Sequence, residues 1–165
     1  MNKLYKMKTK IYITGAAGFI GFHTAKKLLE KGFIVHGFDS MNNYYDKKLK
    51  KSRLNILNKF KKFSFTKGML EKQKLLKESV TKFKPSIIIH LAAQAGVRYS
   101  IDNPDIYLNS NILGTFNVIK IANKIGVKHL IIGSSSSVYG GNKKIPFQEI
   151  DKTDHQVSFY AATKK

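Results

Sequence analysis

Along the chain, short apolar runs alternate with longer stretches in which apolar residues return every three or four positions. The runs at 10–14, 33–38, 63–66, 86–91 and 128–133 are short and bounded by Gly, Pro or charged residues, a pattern that predicts strands. Ile87-Ile88-Ile89 has no polar alternation, as expected of a strand covered on both faces. Residues 19–31, 46–58, 70–83 and 105–125 carry the helical period instead. Gly32 predicts the end of the first of these, Pro85 stops the third, and Pro104 opens the fourth. Residues 134–157 predict a loop, with a last helix starting at Ser158. Strand–helix alternation implies right-handed crossovers and a doubly wound α/β fold. It predicts a three-layer parallel sheet of about five to six strands.

Composition narrows this picture. The 165 residues are enough for one domain with a real core, and neither a repeat nor a linker divides them. No Cys is present, which excludes disulfides, thiolate nucleophiles and cysteine-bound zinc, and is compatible with a cytoplasmic location. The basic stretch 1–10 leads into no signal core, and no apolar run approaches the roughly 20 residues needed to span a bilayer. The five His residues, His23, His36, His90, His129 and His155, show no metal-ligand spacing and are expected in packing or exposed roles, with no metal.

The net charge of +20 is unusual. Of 30 basic residues only Arg53 and Arg98 are arginines; the rest are lysines, including Lys47, Lys48, Lys50, Lys51, Lys59, Lys61 and Lys62. A surface that reads phosphates usually recruits Arg for its bidentate fork. The lysines are expected on solvated helix faces and turns. A basic nucleic-acid binder stays an alternative, and salt-steep binding would reveal it. No recognition module supports specific nucleic-acid contacts.

The chemistry concentrates where strands end. Gly15, Gly18 and Gly21 follow the first strand in a G-x-x-G-x-x-G spacing, with Phe19 and Ile20 inside it. Gly15 allows a tight turn, Gly18 a close backbone approach to a pyrophosphate, and Gly21 close packing of helix on sheet. The free N–H groups of the helix start then face the anion. Asp39 ends the second strand, where a carboxylate accepts hydrogen bonds from ribose hydroxyls. Its charge repels a 2′-phosphate and no Arg follows it, which favours NAD over NADP. A plain turn and cap is the competing reading of both features.

With Gly15 to Gly21, Asp39 to Asp46, Leu91 to Ser100, Ser134 to Gly140 and Tyr160 to Lys164 in register, the chain resembles an extended short-chain dehydrogenase/reductase with a Rossmann-like fold. Within that superfamily it is most similar to the NAD-dependent nucleotide-sugar epimerases of the UDP-glucuronate 4-epimerase branch. The resemblance covers nearly all of residues 10–165. It implies that 1–165 form the NAD-binding domain, that the smaller sugar-gripping domain lies outside them, and that this chain alone binds NAD weakly and turns over little UDP-sugar. It also implies dimerisation of the full-length form through helices flanking the cofactor site.

The same resemblance implies roles for single residues. Tyr160, Lys164 and Ser135 form the catalytic set. A free phenol is a poor base at neutral pH. Lys164, one helical turn from Tyr160, makes it a better one and binds the nicotinamide ribose. Ser135 bonds the reacting oxygen. Hydride leaves C4 of the sugar, a 4-keto sugar turns in the site, and hydride returns to its other face. Asn42, Leu91, Ala92, Ala93, Gln94 and Ser110 join the glycine turn and Asp39 at the cofactor, while Arg98, Ser136 and Ser137 contact the substrate. Dehydratases of this fold carry Thr-Asp-Glu where Ser135, Ser136 and Ser137 stand, so elimination lacks its carboxylates here. Other UDP-sugar 4-epimerases and a non-catalytic NAD-binding fragment are the alternatives.

Met69 departs from the pattern, standing where the family has an Asp that accepts the adenine amino group. A thioether is a very weak acceptor. Met69→Asp is therefore expected to tighten NAD binding in calorimetry; an unchanged affinity contradicts this reading.

Overall fold

The structure, a computed structural model, describes residues 8–165; the basic start at 1–7 lies outside the described residues. Among the described residues five strands form one parallel sheet: β1 (Lys10–Thr14), β2 (Ile34–Asp39), β3 (Phe63–Lys67), β4 (Ile87–His90) and β5 (His129–Ile132), in the order β3-β2-β1-β4-β5. Register is set by pairs such as Tyr12 with His36 and Ile88, and Ile89 with Ile131. All the connections among them are crossovers, so helices cover both faces.

Helix α1 (Phe19–Glu30) ends in the left-handed Gly32 turn, as its sequence predicts. With α2 (Lys47–Leu57) it covers one face of the sheet. There Ile11, Ile13, Phe22, Leu29, Val35, Leu54 and Leu57 form one apolar layer. On the other face, α3 (Gln73–Phe83) and α6 (Gly114–Ile125) bury Tyr12, Phe38, Leu76, Val80, Ile88, Val118 and Ile121. On α2, Leu49 and Ile56 are exposed, and Lys50 joins Leu54 and Leu57 on the buried side.

The stretch 105–125 is not the single regular helix its periodicity predicts. It is preceded by the single turn α4 (Tyr99–Asp102) and starts as α5 (Pro104–Tyr107). It then widens into a π-helical turn at Leu108–Leu113 before continuing as α6. The widened turn directs Asn111 into the interior, where it is buried. Such bulges change the period by about one residue, too little to disturb an apolar pattern, and they recur at functional sites. After β5 come the 3-10 turn Ser136–Tyr139 and α7 (Phe159–Ala162).

Two buried imidazoles sit within the sheet. His36 stacks on Tyr12 at 4.9 Å and meets the hydroxyls of Ser64 at 2.7 Å and Thr66 at 3.0 Å. At the end of β4, the Thr14 hydroxyl oxygen accepts the amides of Leu91 and Ala92, so its proton goes to His90 Nδ1 at 2.7 Å. His90 Nε2–H is then the donor to Thr115 Oγ1 at 2.9 Å, which fixes a neutral tautomer. Burial lowers both to about 4, with the nearby charge of Lys164 adding to the effect at His90. The unfolded chain takes up these protons near pH 6.5, the folded chain only near 4. Stability is therefore full above about pH 6.5 and falls between there and pH 4. Urea midpoints taken in about 0.5 M salt, which screens the net charge, should drop from about pH 7 to about pH 5. Equal midpoints would show that neither imidazole is held neutral.

Candidate dinucleotide site

The sheet order reverses between β1 and β4, and the carboxyl ends of these strands open a cleft of about 680 Å³. The turn after β1 meets the end of β4 at its base. Gly15 has φ +75, and a Cβ there would stand 2.8 Å from the Ala92 amide nitrogen. A side chain at Gly21 would overlap the Gly15 carbonyl. The turn is anchored from behind by the Gly15 amide, which donates to the Phe38 carbonyl at 2.7 Å. Gly18 caps α1 with extended backbone and no side-chain bond, and the first turn of α1 has no acidic residue. The leading amides of α1 thus remain open to an anion.

Asp39 is buried at the end of β2. Its Oδ2 accepts the Ala17 amide at 3.1 Å and its Oδ1 the Met41 amide at 2.8 Å, which hold the carboxylate against the glycine turn. Phe19 and Ile20, both largely exposed, and Met69 add apolar surface to the walls. The donor set fits a dinucleotide: open helix amides for a diphosphate, a fixed carboxylate for ribose hydroxyls, and apolar walls for bases.

Every residue expected at the cofactor lines this one cleft: Gly15, Gly18, Phe19, Ile20, Gly21, Asp39, Asn42, Leu91, Ala92, Ala93, Gln94, Ser110, Tyr160 and Lys164. Tyr160 and Lys164 come from the last turn of chain. The Tyr160 amide donates to Ser100 Oγ at 3.1 Å, and Lys164 Nζ donates to the Gly133 carbonyl at 2.7 Å. Burial lowers the Lys164 ammonium below the ordinary lysine range. Tyr107 packs edge-on against Tyr160 at 6.1 Å. Its hydroxyl is spent on the Ala95 and Gly96 carbonyls, and burial pushes it up to about 12, so it stays a donor.

The serine run lies differently. Ser134 lines the cleft and donates to the Lys164 carbonyl at 2.8 Å. Ser135 caps the 3-10 turn, and its oxygen accepts the Ser137 amide at 3.2 Å. Ser135, Ser136 and Ser137 are not among the cleft-lining residues, and neither is the exposed Arg98.

Three residues escaped the sequence reading. Lys50 was expected on a solvated face but is buried, its ammonium 3.8 Å from Asp39 Oδ1 and 2.9 Å from Asn42 Oδ1. Its spacing to Leu54 and Leu57 places it on the inner face of α2, a signal masked by the surrounding lysines. Arg53, three residues on, reaches back to the Ala17 carbonyl at 3.2 Å, although no Arg directly follows Asp39. Asn111 accepts the Gln94 amide at 2.7 Å and donates to the Gln94 carbonyl and to Thr163 Oγ1, at 3.1 and 2.9 Å. It ties the cofactor loop to the segment that carries Tyr160 and Lys164; Lys164 lies in the turn after α7, not on the helix that its spacing to Tyr160 predicts.

The family model described as GDP-mannose 4,6 dehydratase matches residues 12–165. The chain belongs to this family. A relative from Rhizobium meliloti, "Probable UDP-glucuronate 4-epimerase", is 50% identical over 153 residues, covering 93% of this chain and 45% of its own. Among solved structures, a mutant UDP-glucuronic acid 4-epimerase from Bacillus cereus, in complex with a fluorinated UDP-sugar and NAD, matches with a TM-score of 0.81 and 30% identity. It covers 94% of this chain and 49% of that one. UDP-glucose 4-epimerase from Brucella ovis, in complex with NAD, matches with a TM-score of 0.80 and 27% identity, covering 94% and 44%. The chain spans about half the length of the curated relatives it matches.

Asn111→Leu should cost about 1–3 kcal/mol in urea unfolding, because it strands the buried Gln94 amide and carbonyl. Wild-type stability in that variant would show that the tie carries no load.

Proposed function

We propose that this chain forms the cofactor-binding part of an NAD-dependent UDP-sugar 4-epimerase, with UDP-glucuronate and UDP-galacturonate as the sugar pair. The observation that carries the reading is the meeting of Tyr160 and Lys164 with the open α1 amides and Asp39 in a single cleft. The α1 amides hold the diphosphate and Asp39 the adenosine ribose. NAD, when bound, supplies a hydride acceptor for oxidation of the sugar at C4 and a donor for its return.

The remaining chemistry falls to side chains. Tyr160 takes the proton of the sugar 4-hydroxyl and gives one back after the ketone has turned. Lys164, held by the Gly133 carbonyl, supports Tyr160 and binds the nicotinamide ribose. The serine run supplies a hydroxyl to the reacting oxygen, Ser135 holding the family's position and Ser134 standing on the cleft wall. Arg98, Ser136 and Ser137 are proposed contacts for the sugar carboxylate.

Epimerisation is favoured over loss of water because Ser136 and Ser137 offer hydroxyls where elimination needs an acid and a base. UDP-glucuronate is favoured over UDP-glucose by the relatives at 50% and 44% identity that carry the former name. A homodimer is proposed through α6 and the turn before it, where Ile112, Phe116 and Ile119 stand exposed along one side.

NAD calorimetry and chromatography of UDP-glucuronate run on the same sample test the assignment. The wild-type chain should bind NAD and form little UDP-galacturonate, and Tyr160→Phe should remove what is formed while NAD affinity stays within about two-fold. Failure of the wild type to bind NAD, or UDP-galacturonate formation that survives Tyr160→Phe, contradicts the reading.

A further inference from the structure

The net charge is not spread evenly along the chain. Residues 47–84, from the start of α2 to the residue after α3, hold fourteen of the 30 basic residues and two of the 10 acids, Glu71 and Glu78. This segment therefore carries +12 of the net +20. The fold gathers it at one place: β3 is an edge strand of the sheet, and α2 and α3 are the crossovers that enter and leave it. Eleven of its lysines are exposed, and among the described residues none of the eleven is in an ion pair. Lys51 stands on α2, Lys59 and Lys61 lead into β3, Lys67 ends it, and Lys74 and Lys82 stand on α3. The other edge strand, β5, contains no lysine, arginine or acid.

Lysines on an edge strand also keep it from pairing with other chains. That role needs charge on the strand, yet only Lys67 of the eleven lies on β3 itself. α2 packs on one face of the sheet and α3 on the other, so the lysines wrap around the edge. A flat bilayer reaches one side of such an edge, whereas a linear polyanion can follow it round. The two eleven-residue helices each extend about 16 Å, and a nucleic-acid duplex offers a phosphate about every 1.7 Å of its axis. The groups at the edge suit contact with the backbone alone. The exposed cations are all lysines, compact point charges rather than bidentate forks. Phe63 and Phe65 of β3 pack against the apolar layer under α1 and α2 instead of offering a ring on which bases stack.

We propose that the β3 edge is a docking surface for the phosphate backbone of a nucleic acid, bound without regard to base sequence. The surface is separate from the dinucleotide cleft, which Lys51, Lys59, Lys61 and Lys82 do not line. The inference goes beyond the cofactor reading and stands without it.

The test is fluorescence anisotropy of a labelled duplex of about 20 base pairs titrated with the chain. The wild type should bind at about 50 mM salt, and log K should fall against log salt with a slope of about −3 or steeper. Two duplexes of unrelated sequence should bind within about two-fold of each other. Lys51→Glu, Lys59→Glu, Lys61→Glu and Lys82→Glu combined should weaken binding by at least about thirty-fold. A control with Lys27→Glu, Lys124→Glu, Lys143→Glu and Lys152→Glu reverses four exposed lysines elsewhere, makes the same change in net charge, and should weaken binding by less than about five-fold. Glu guards an edge strand as Lys does, so lost binding is not a lost guard. Should the edge variant fail to fold, Gln at the same four positions should still cost more than Gln at the control positions. Equal losses in the two variants would assign the binding to overall charge and overturn the inference. It is overturned as well by no binding at about 50 mM salt, by a sequence preference above about ten-fold, or by edge-dependent binding to phosphatidylglycerol vesicles that is tighter than binding to the duplex.

Discussion

The close approach of the turn after β1 to the end of β4 is the contact on which the site depends. Gly15 lies against the Ala92 backbone with room for no side chain, and Gly21 lets α1 start directly beneath the same turn. Without that approach the α1 amides would point away from the switch point of the sheet. The contact is braced from below: Thr14 accepts the Leu91 and Ala92 amides and donates its hydroxyl hydrogen bond to a neutral His90, which bonds Thr115 on α6. A hydroxyl and an imidazole in the core thus fix where two strand ends meet, and the strand ends fix the cleft.

A second tier connects the cofactor side to the chemistry. Gln94 continues from the β4 end, and Asn111 clasps its amide and carbonyl while bonding Thr163. The π-helical turn lets Asn111 do this by rotating it inward from a surface helix. Ser100 adds a second anchor at the Tyr160 amide. The single turn α7 is too short to hold itself. Its placement comes from these side-chain ties, together with Lys164 on the Gly133 carbonyl.

Much of this was legible in the residues. β1 is found at the predicted positions, and β2 to β5 within about one or two residues of them, the usual uncertainty of element ends. The glycine turn and Asp39 were readable because backbone approach and ribose binding restrict the residue types that serve. Two features were hidden for physical reasons. The π-helical turn leaves the apolar period of 105–125 nearly intact, so Asn111 looked like one more polar position on a helix. Lys50 was masked by composition: among so many solvated lysines, one that turns inward to meet Asp39 has no local mark except its spacing to Leu54 and Leu57. Likewise the serine run shows which hydroxyls are present, but only the fold separates Ser134 on the cleft wall from Ser135 in the cap.

The central claim is that the opening of α1 and the Asp39 corner together receive a dinucleotide. Amide nitrogen–proton correlation spectra of the labelled chain, recorded as NAD is added, test it most directly. The account predicts saturable shifts centred on Phe19, Ile20 and Gly21 and on the amides bound to Asp39, those of Ala17 and Met41. Spectra that stay unchanged at millimolar NAD, or shifts confined to lysine-rich surface far from the cleft, would contradict it.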